Sequence, residues 1–328
     1  MGEKIGVIGS GGWGICLSIL LYKKNCEVIM WEPIREHFEI LEKYRESSIY
    51  FPGVKIPEGI KITNSLKETV ESTNSLIITV RSAFFRTTIR KIEKLYKGQK
   101  ILIGTKGLEM ETGKTVSEII EEEGIIKKYA ILSGPTIAKE IVQGFPAAAV
   151  VSSKDKDIAS YFQELLSSEI LRLYITDDIK GVEIGGAFKN VIAIGAGMID
   201  GLNLGVNTKA SYLTRGLNEM IRIGTLLGGK EKTFRGLSGI GDLITTSFSK
   251  YSRNRSFGEG IVKVGKDKYL KEHKTVIEGI PATAAFYKLG KKLKVELPIT
   301  DAIYRIIYLG EKVENEIKNL MKRRLKEE

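Results

Sequence analysis

The sequence has 328 residues, 42% of them apolar and 28% charged, which suits one large or two ordinary folded domains and excludes a disordered or fibrous chain. Its formal net charge is +11. Acidic residues are interleaved with basic ones along most of the chain, so a Lys-rich surface with a site for anionic ligands explains that charge better than nucleic-acid binding does.

In chain order, Ile5 to Ile8 reads as a buried strand, Trp13 to Lys24 as a helix, Val28 to Trp31 as a strand and Pro33 to Arg45 as a helix. Leu76 to Val80, Ile101 to Ile103 and Ala130 to Leu132 are further strands with helical segments between them, and Ala147 to Val151 and Ile170 to Tyr174 add two more. These runs are apolar throughout rather than alternating, as expected where helices cover both faces of a sheet. Alternating β and α units imply a parallel, doubly wound, Rossmann-like α/β domain over residues 1–180. After residue 180 the pattern changes. Gly181 to Leu227 is rich in Ala, Gly and Leu at helical spacing, and Pro281 to Lys292 and Asp301 to Lys326 also read as helices. An all-α domain over 181–328 follows. Within it, Lys318 to Lys326 is a concentrated basic run, read as a solvated helix face or tail.

Cys16 and Cys26 have neither disulfide-framework nor metal-site spacing, which fits a reducing compartment. His37 and His273 lack nearby ligand partners, so no catalytic metal is expected. Ile15 to Leu21 lacks a signal-peptide layout, and Val191 to Ile199 is too short to span a bilayer. The expectation is a soluble, cytoplasmic protein with no integral membrane segment and no nucleic-acid partner.

Gly9-Ser-Gly-Gly-Trp-Gly14 matches G-x-G-x-x-G between a strand and a helix. Gly9 permits the tight turn, Gly11 lets a pyrophosphate approach the backbone, and Gly14 lets helix and strand pack closely. The helix start supplies free N–H groups to phosphates. Glu32 lies at the end of the second strand, 23 residues after Gly9. A carboxylate there accepts from ribose hydroxyls and repels a 2′-phosphate, which favours NAD over NADP; Arg35 counts the other way.

Four further segments carry chemistry. Lys106, in Gly104-Thr-Lys-Gly-Leu-Glu109, follows a strand and would project from the carboxyl end of the sheet, unless it is an ordinary surface lysine. In Ser133-Gly-Pro-Thr136, Gly134 and Thr136 can offer N–H groups and a hydroxyl to a ligand, or simply cap a helix. Gly185-Gly-Ala-Phe-Lys-Asn190 places three small residues inside a helix, which costs helix stability and suggests a close approach there. Lys189 then sits amid apolar neighbours, or snorkels to solvent. Ser252-Arg-Asn-Arg255 at a possible helix start suits phosphate binding, or is a solvated basic patch.

Together these residues resemble the bacterial-type NAD(P)-dependent glycerol-3-phosphate dehydrogenases. The similarity runs from Gly6 to about Gly310 through the segments above and through Asn207-Thr-Lys-Ala210, Thr214-Arg-Gly-Leu217, Gly241-Asp-Leu243 and Glu278-Gly-Ile-Pro281. The resemblance implies interconversion of dihydroxyacetone phosphate and sn-glycerol 3-phosphate for phospholipid synthesis, by a homodimer. It implies that Lys189 donates or accepts the proton; an acidic Asp242 beside it would orient the amine. It assigns Lys106, Gly134, Thr136, Asp242, Ser252, Arg253 and Asn254 to substrate. It assigns Trp13, Tyr50, Lys106, Ala138, Arg253 and Glu278 to the cofactor, beside Gly9, Gly11, Gly12, Gly14, Glu32 and Arg35. Three positions depart from the family pattern: Arg81 follows Val80 where Pro is usual, Ser47 replaces an Asn, and Pro33 and Ile34 replace basic residues. The last counts against NADP. Two other readings stay open from the residues alone: a two-domain dehydrogenase of oxo acids, and a nucleotide-sensing protein that binds nucleic acid.

Overall fold

The computed structural model describes residues 2–273, 276–325 and 327. The chain divides into two compact units, Met1–Lys106 with Thr115–Glu183, and Gly107–Lys114 with Ile184–Glu328. The change of unit thus falls between Glu183 and Ile184, inside the helix Ile179–Gly201. The segment Gly107–Lys114, which the sequence pattern places with the first domain, belongs to the second unit because Leu108 is buried in the helical core.

The first unit is built on eight strands: β1 Lys4–Ile8, β2 Glu27–Trp31, β3 Lys61–Thr63, β4 Ser75–Ile78, β5 Lys100–Ile103, β6 Tyr129–Ser133, β7 Ala147–Ser152 and β8 Leu171–Thr176. Their order is β3-β2-β1-β4-β5-β6-β7-β8, and β1 to β6 run parallel in the doubly wound dinucleotide-binding order. Successive strand residues serve opposite faces. Ile77 and Leu102 enter one buried cluster with Ile15 to Leu21 of the helix Gly12–Lys23. Ile78, Ile101 and Ile103 enter another with Phe85, Ile89 and Ile92 of the helix Ser82–Glu93. Burial on both faces is why the strands read as continuous apolar runs.

Two features depart from the expected parallel sheet. β7 is antiparallel to β6, and β8 is parallel to β7. The link between β6 and β7 holds only the five-residue helix Ala138–Val142, which spans roughly 8 Å, well short of the length of a strand it would have to retrace. The chain therefore turns back. β3 was not anticipated: it is a three-residue edge strand with an exposed Lys, and such edges are short and charged by nature.

The second unit is helical, with no strand among its described residues. Its central helix, Ile179–Gly201, has the length and apolarity of a bilayer-spanning segment, yet that apolar stretch is wholly buried. Glycines let it touch a neighbouring helix backbone to backbone. A Cβ on Gly197 would overlap the Arg255 carbonyl oxygen, and one on Gly258, in the helix Arg253–Val264, would overlap that of Ile194. The expected single helix from Asp301 onward is instead broken. Pro298–Tyr304 passes into a π-helical turn, Arg305–Leu309, and ends at Gly310 with φ +75° before the helix Val313–Met321 begins. A left-handed residue at that point closes the helix, and glycine adopts it without strain. Lys326, the expected end of the basic run, lies outside the described residues.

Each unit buries one glutamate that binds the start of another helix. Glu183 accepts from the Ser117 N–H at 2.7 Å and the Ser117 hydroxyl at 2.6 Å, in the first turn of Val116–Glu123. Glu219, in the helix Gly205–Leu226, accepts from the N–H groups of Ile299 and Thr300 and from the Thr300 hydroxyl at 2.9 Å. Burial outweighs these bonds and pushes both carboxyls up from 4.5 to about 7. A group raised in the folded state binds more protons there than when unfolded. The stability it contributes is complete below about pH 4.5 and declines as pH rises to about 7. Thermal unfolding should therefore show a falling Tm from pH 5 to pH 7.5, and Glu219→Gln should reduce that slope. An identical slope in the variant would remove Glu219 from the account.

Candidate active site

In the first unit, the turn between β1 and the helix Gly12–Lys23 has the geometry that its glycines suggest. Gly9 has φ +109°, and a Cβ on Gly14 would overlap the Gly9 carbonyl oxygen. A Cβ on Gly11 would meet nothing within 4 Å, which leaves open space above its backbone. Gly11 precedes the helix with no side-chain cap, so the first-turn N–H groups are left for a ligand. Trp13 packs beside this turn against the end of β5, with its buried Nε1 lacking a protein partner. Tyr50 lies alongside: a Cβ on Gly12 would be 3.6 Å from its ring. An open glycine turn, free N–H groups and an orphaned indole fit a dinucleotide.

Glu32 is 4% exposed and heavily engaged. It accepts from the Ser10 hydroxyl, His37 Nδ1 lies 2.7 Å from the same oxygen, and the Ile34 N–H donates to the other at 2.7 Å. Burial pushes its carboxyl up, and the bonds from His37, Ser10 and Ile34 more than offset that, leaving the group below its ordinary value. Arg35 is turned to Glu39 at the surface rather than to Glu32.

Three of the expected substrate residues of this unit converge. Lys106 Nζ donates to the Gly134 carbonyl at 3.2 Å, and the Thr136 hydroxyl donates to the same carbonyl at 3.1 Å. Gly134 has φ +147°, and a Cβ there would come within 2.8 Å of the Ala149 Cα on β7. Ala138 opens the short helix that follows.

In the second unit, Lys189 donates to Asp242 Oδ1, and the two side chains are 9% and 2% exposed. Lys189 does not snorkel to solvent. The Thr246 hydroxyl reaches the same carboxylate oxygen at 3.3 Å, one helical turn beyond Asp242. Gly185 explains how the pair meets. A Cβ on it would come within 2.5 Å of the Ser238 carbonyl oxygen, so only glycine lets the Lys189 helix rest on the π-helical turn Leu237–Gly241 that leads into Asp242. Nearby, Asn254 Nδ2 donates to Asn190 Oδ1 at 2.9 Å, and the Gly279 N–H donates to Asn254 Oδ1 at 2.8 Å. Ser252 caps the helix Arg253–Val264, accepting from the Arg255 N–H at 3.2 Å. Arg253 is exposed, and no hydrogen bond or ion pair among the described residues engages its guanidinium.

Family models for the N-terminal and C-terminal parts of NAD-dependent glycerol-3-phosphate dehydrogenase match residues 4–159 and 178–318. The chain belongs to this family. A curated glycerol-3-phosphate dehydrogenase of the NAD(P)+ type from Fusobacterium nucleatum is 40% identical over 97% of this chain and 96% of its own length. One from Clostridium tetani is 42% identical over 99% of this chain and 94% of its own. The crystal structure of the Coxiella burnetii glycerol-3-phosphate dehydrogenase is 32% identical, covers 98% of this chain and 99% of its own, and superposes with a TM-score of 0.94.

Within this dehydrogenase framework, the expected site residues fall into two sets. The first unit gathers Gly9, Gly11, Gly12, Trp13, Gly14 and Tyr50 at the turn, and Lys106, Gly134 and Thr136 at one carbonyl. The second gathers Lys189 with Asp242, and Asn254 with the start of the helix Gly279–Leu293 beside the half-buried Glu278. Arg35 stands apart, bound to Glu39. Sequence reasoning missed His37 and Ser10 as partners of Glu32, Thr246 as a partner of Asp242, and Asn190 as a partner of Asn254. Only the Asp242–Thr246 spacing of four in a helix offered a local signal.

Two of the motif glycines should separate by experiment. Gly14→Ala forces an overlap with backbone and should lower unfolding stability by about 1–3 kcal/mol in urea titration. Gly11→Ala adds a methyl to open space and should leave stability unchanged while weakening NADH binding. Loss of stability in Gly11→Ala would contradict the open-space reading.

Proposed function

We propose that this protein interconverts dihydroxyacetone phosphate and sn-glycerol 3-phosphate with NAD or NADP, as a cytoplasmic homodimer whose product feeds phospholipid synthesis. The observation that carries this reading is the buried Lys189–Asp242 pair, set in a chain that the family models match over residues 4–159 and 178–318. The dinucleotide, when bound, supplies or accepts the hydride at C2 of the substrate. During reduction, negative charge grows on the carbonyl oxygen, and Lys189 as an ammonium polarises that oxygen and donates the proton to it. Asp242 orients the amine, with Thr246 fixing the carboxylate. General acid catalysis of this kind contributes roughly a hundred- to ten-thousand-fold.

Arg253, exposed at the start of its helix, supplies a fork of donors for the substrate phosphate. Lys106, Gly134, Thr136, Ser252 and Asn254 bind the same substrate, and Asn254 also holds the helix start at Gly279. Binding energy from the phosphate, which does not react, then orients the carbonyl. Trp13, Tyr50, Ala138, Arg253 and Glu278 contact the dinucleotide together with the glycine turn.

The direct test is oxidation of NADH or NADPH, followed at the nicotinamide absorbance, with dihydroxyacetone phosphate against a panel of 2- and 3-oxo acids. Turnover on an oxo acid alone would overturn the substrate assignment. Lys189→Ala should lower kcat by about a hundred- to ten-thousand-fold with NADH binding retained. Because it removes the ion-pair partner of the buried Asp242, which costs roughly 3–5 kcal/mol, the folded fraction is checked by circular dichroism. Arg253→Ala should raise KM for dihydroxyacetone phosphate far more than for unphosphorylated dihydroxyacetone. Equal losses on the two substrates would refute the phosphate assignment.

A further inference from the structure

A chain of buried polar side chains leads away from the glycine turn. Ser10, within the turn, donates to Glu32 Oε2; His37 Nδ1 is 2.7 Å from that oxygen; His37 Nε2 is 3.4 Å from Ser47 Oγ. Ser10 and Ser47 are each 1% exposed. The Tyr50 ring meets the imidazole edge-on at 6.0 Å between centroids, which fixes its orientation. With the Ile34 N–H on Oε1, three bonds occupy a carboxylate that has about four acceptor positions. One position remains, whereas a carboxylate that holds both ribose hydroxyls uses two. Of the three donors, only His37 can also carry a positive charge against the carboxylate.

We propose that His37 is a specificity-determining residue of the dinucleotide site: by engaging Glu32 it turns a carboxylate that would select NADH into one that also accepts the 2′-phosphate of NADPH. This deepens the cofactor assignment and rests on it. Without His37, Glu32 would present an uncompensated charge and a free acceptor, favouring a ribose diol and repelling a phosphate. With His37 in place, its ring N–H occupies that acceptor. The helix Arg35–Tyr44 brings the imidazole back over the strand end, five residues after Glu32. The acceptor valence at the end of β2 is therefore set by a pair, not by the acidic residue alone.

Nicotinamide fluorescence titration with NADH and NADPH tests this without any substrate. His37→Phe keeps the ring but removes the donor. It should weaken NADPH binding about five- to tenfold and leave NADH within about twofold. His37→Gln, which retains one donor, should fall between, and Glu32→Gln should tighten NADPH relative to NADH. A merely structural role would weaken both cofactors alike, so equal losses, or unchanged NADPH binding in folded His37→Phe, overturn the proposal. If His37→Phe does not fold by circular dichroism, the NADPH-to-NADH ratio in His37→Gln and Glu32→Gln decides by the same criterion. Wild-type protein that binds neither dinucleotide would overturn the cofactor assignment as well. A wild type that binds both, with the ratio unmoved in the variants, overturns this proposal alone.

Discussion

The chemistry we propose for this protein depends on one buried ion pair, Lys189 with Asp242. Taking an ammonium and a carboxylate out of water is costly, and the mutual attraction offsets it only where geometry is tight and remaining valences are used. The Thr246 hydroxyl takes one such valence. A pair of this kind adds little net stability compared with apolar side chains, so its presence points to a task other than holding the fold together. Its effect is to present an amine with a fixed direction.

Backbone contact makes that pair possible. Gly185 lets the helix Ile179–Gly201 rest against the Ser238 carbonyl, and Gly197 and Gly258 let the same helix touch Arg253–Val264, the helix that begins with Arg253 and Asn254. A helix that carries so many glycines loses local stability. It recovers that stability through burial on all sides, which is why it resembles a membrane span in composition while sitting inside a core. The same logic holds at the amino-terminal turn, where Gly14 is required for packing and Gly11 faces open space.

Buried carboxylates recur with different functions. Glu183 and Glu219 each accept N–H groups at the start of another helix and are pushed up toward neutrality by burial. Glu32 accepts a comparable set of bonds but has His37 beside it, and it is held below its ordinary value. Desolvation outweighs the bonds at Glu183 and Glu219 even with Lys180 and Arg222 nearby, whereas at Glu32 the bonds from His37, Ser10 and Ile34 outweigh it.

Much of this was legible in the chain itself. Continuous apolar runs between helical patterns specify a two-faced sheet, and the spacing of Gly9, Gly11 and Gly14 between a strand and a helix specifies the turn, because these are local periodicities and local backbone demands. The family segments around Lys189 and Asp242 were likewise readable as words. What tertiary structure alone decided were pairings across long stretches of sequence: Lys189 with Asp242 rather than with solvent, Asn254 with Asn190, Glu219 with the start of Pro298–Tyr304, and the reversal of β7 against β6. Glu32 is the sharpest case. Its position at the strand end was evident from residue order, but its charge state and free valence depend on which donors the fold brings to it, and no short-range pattern records that His37 curls back to be one of them.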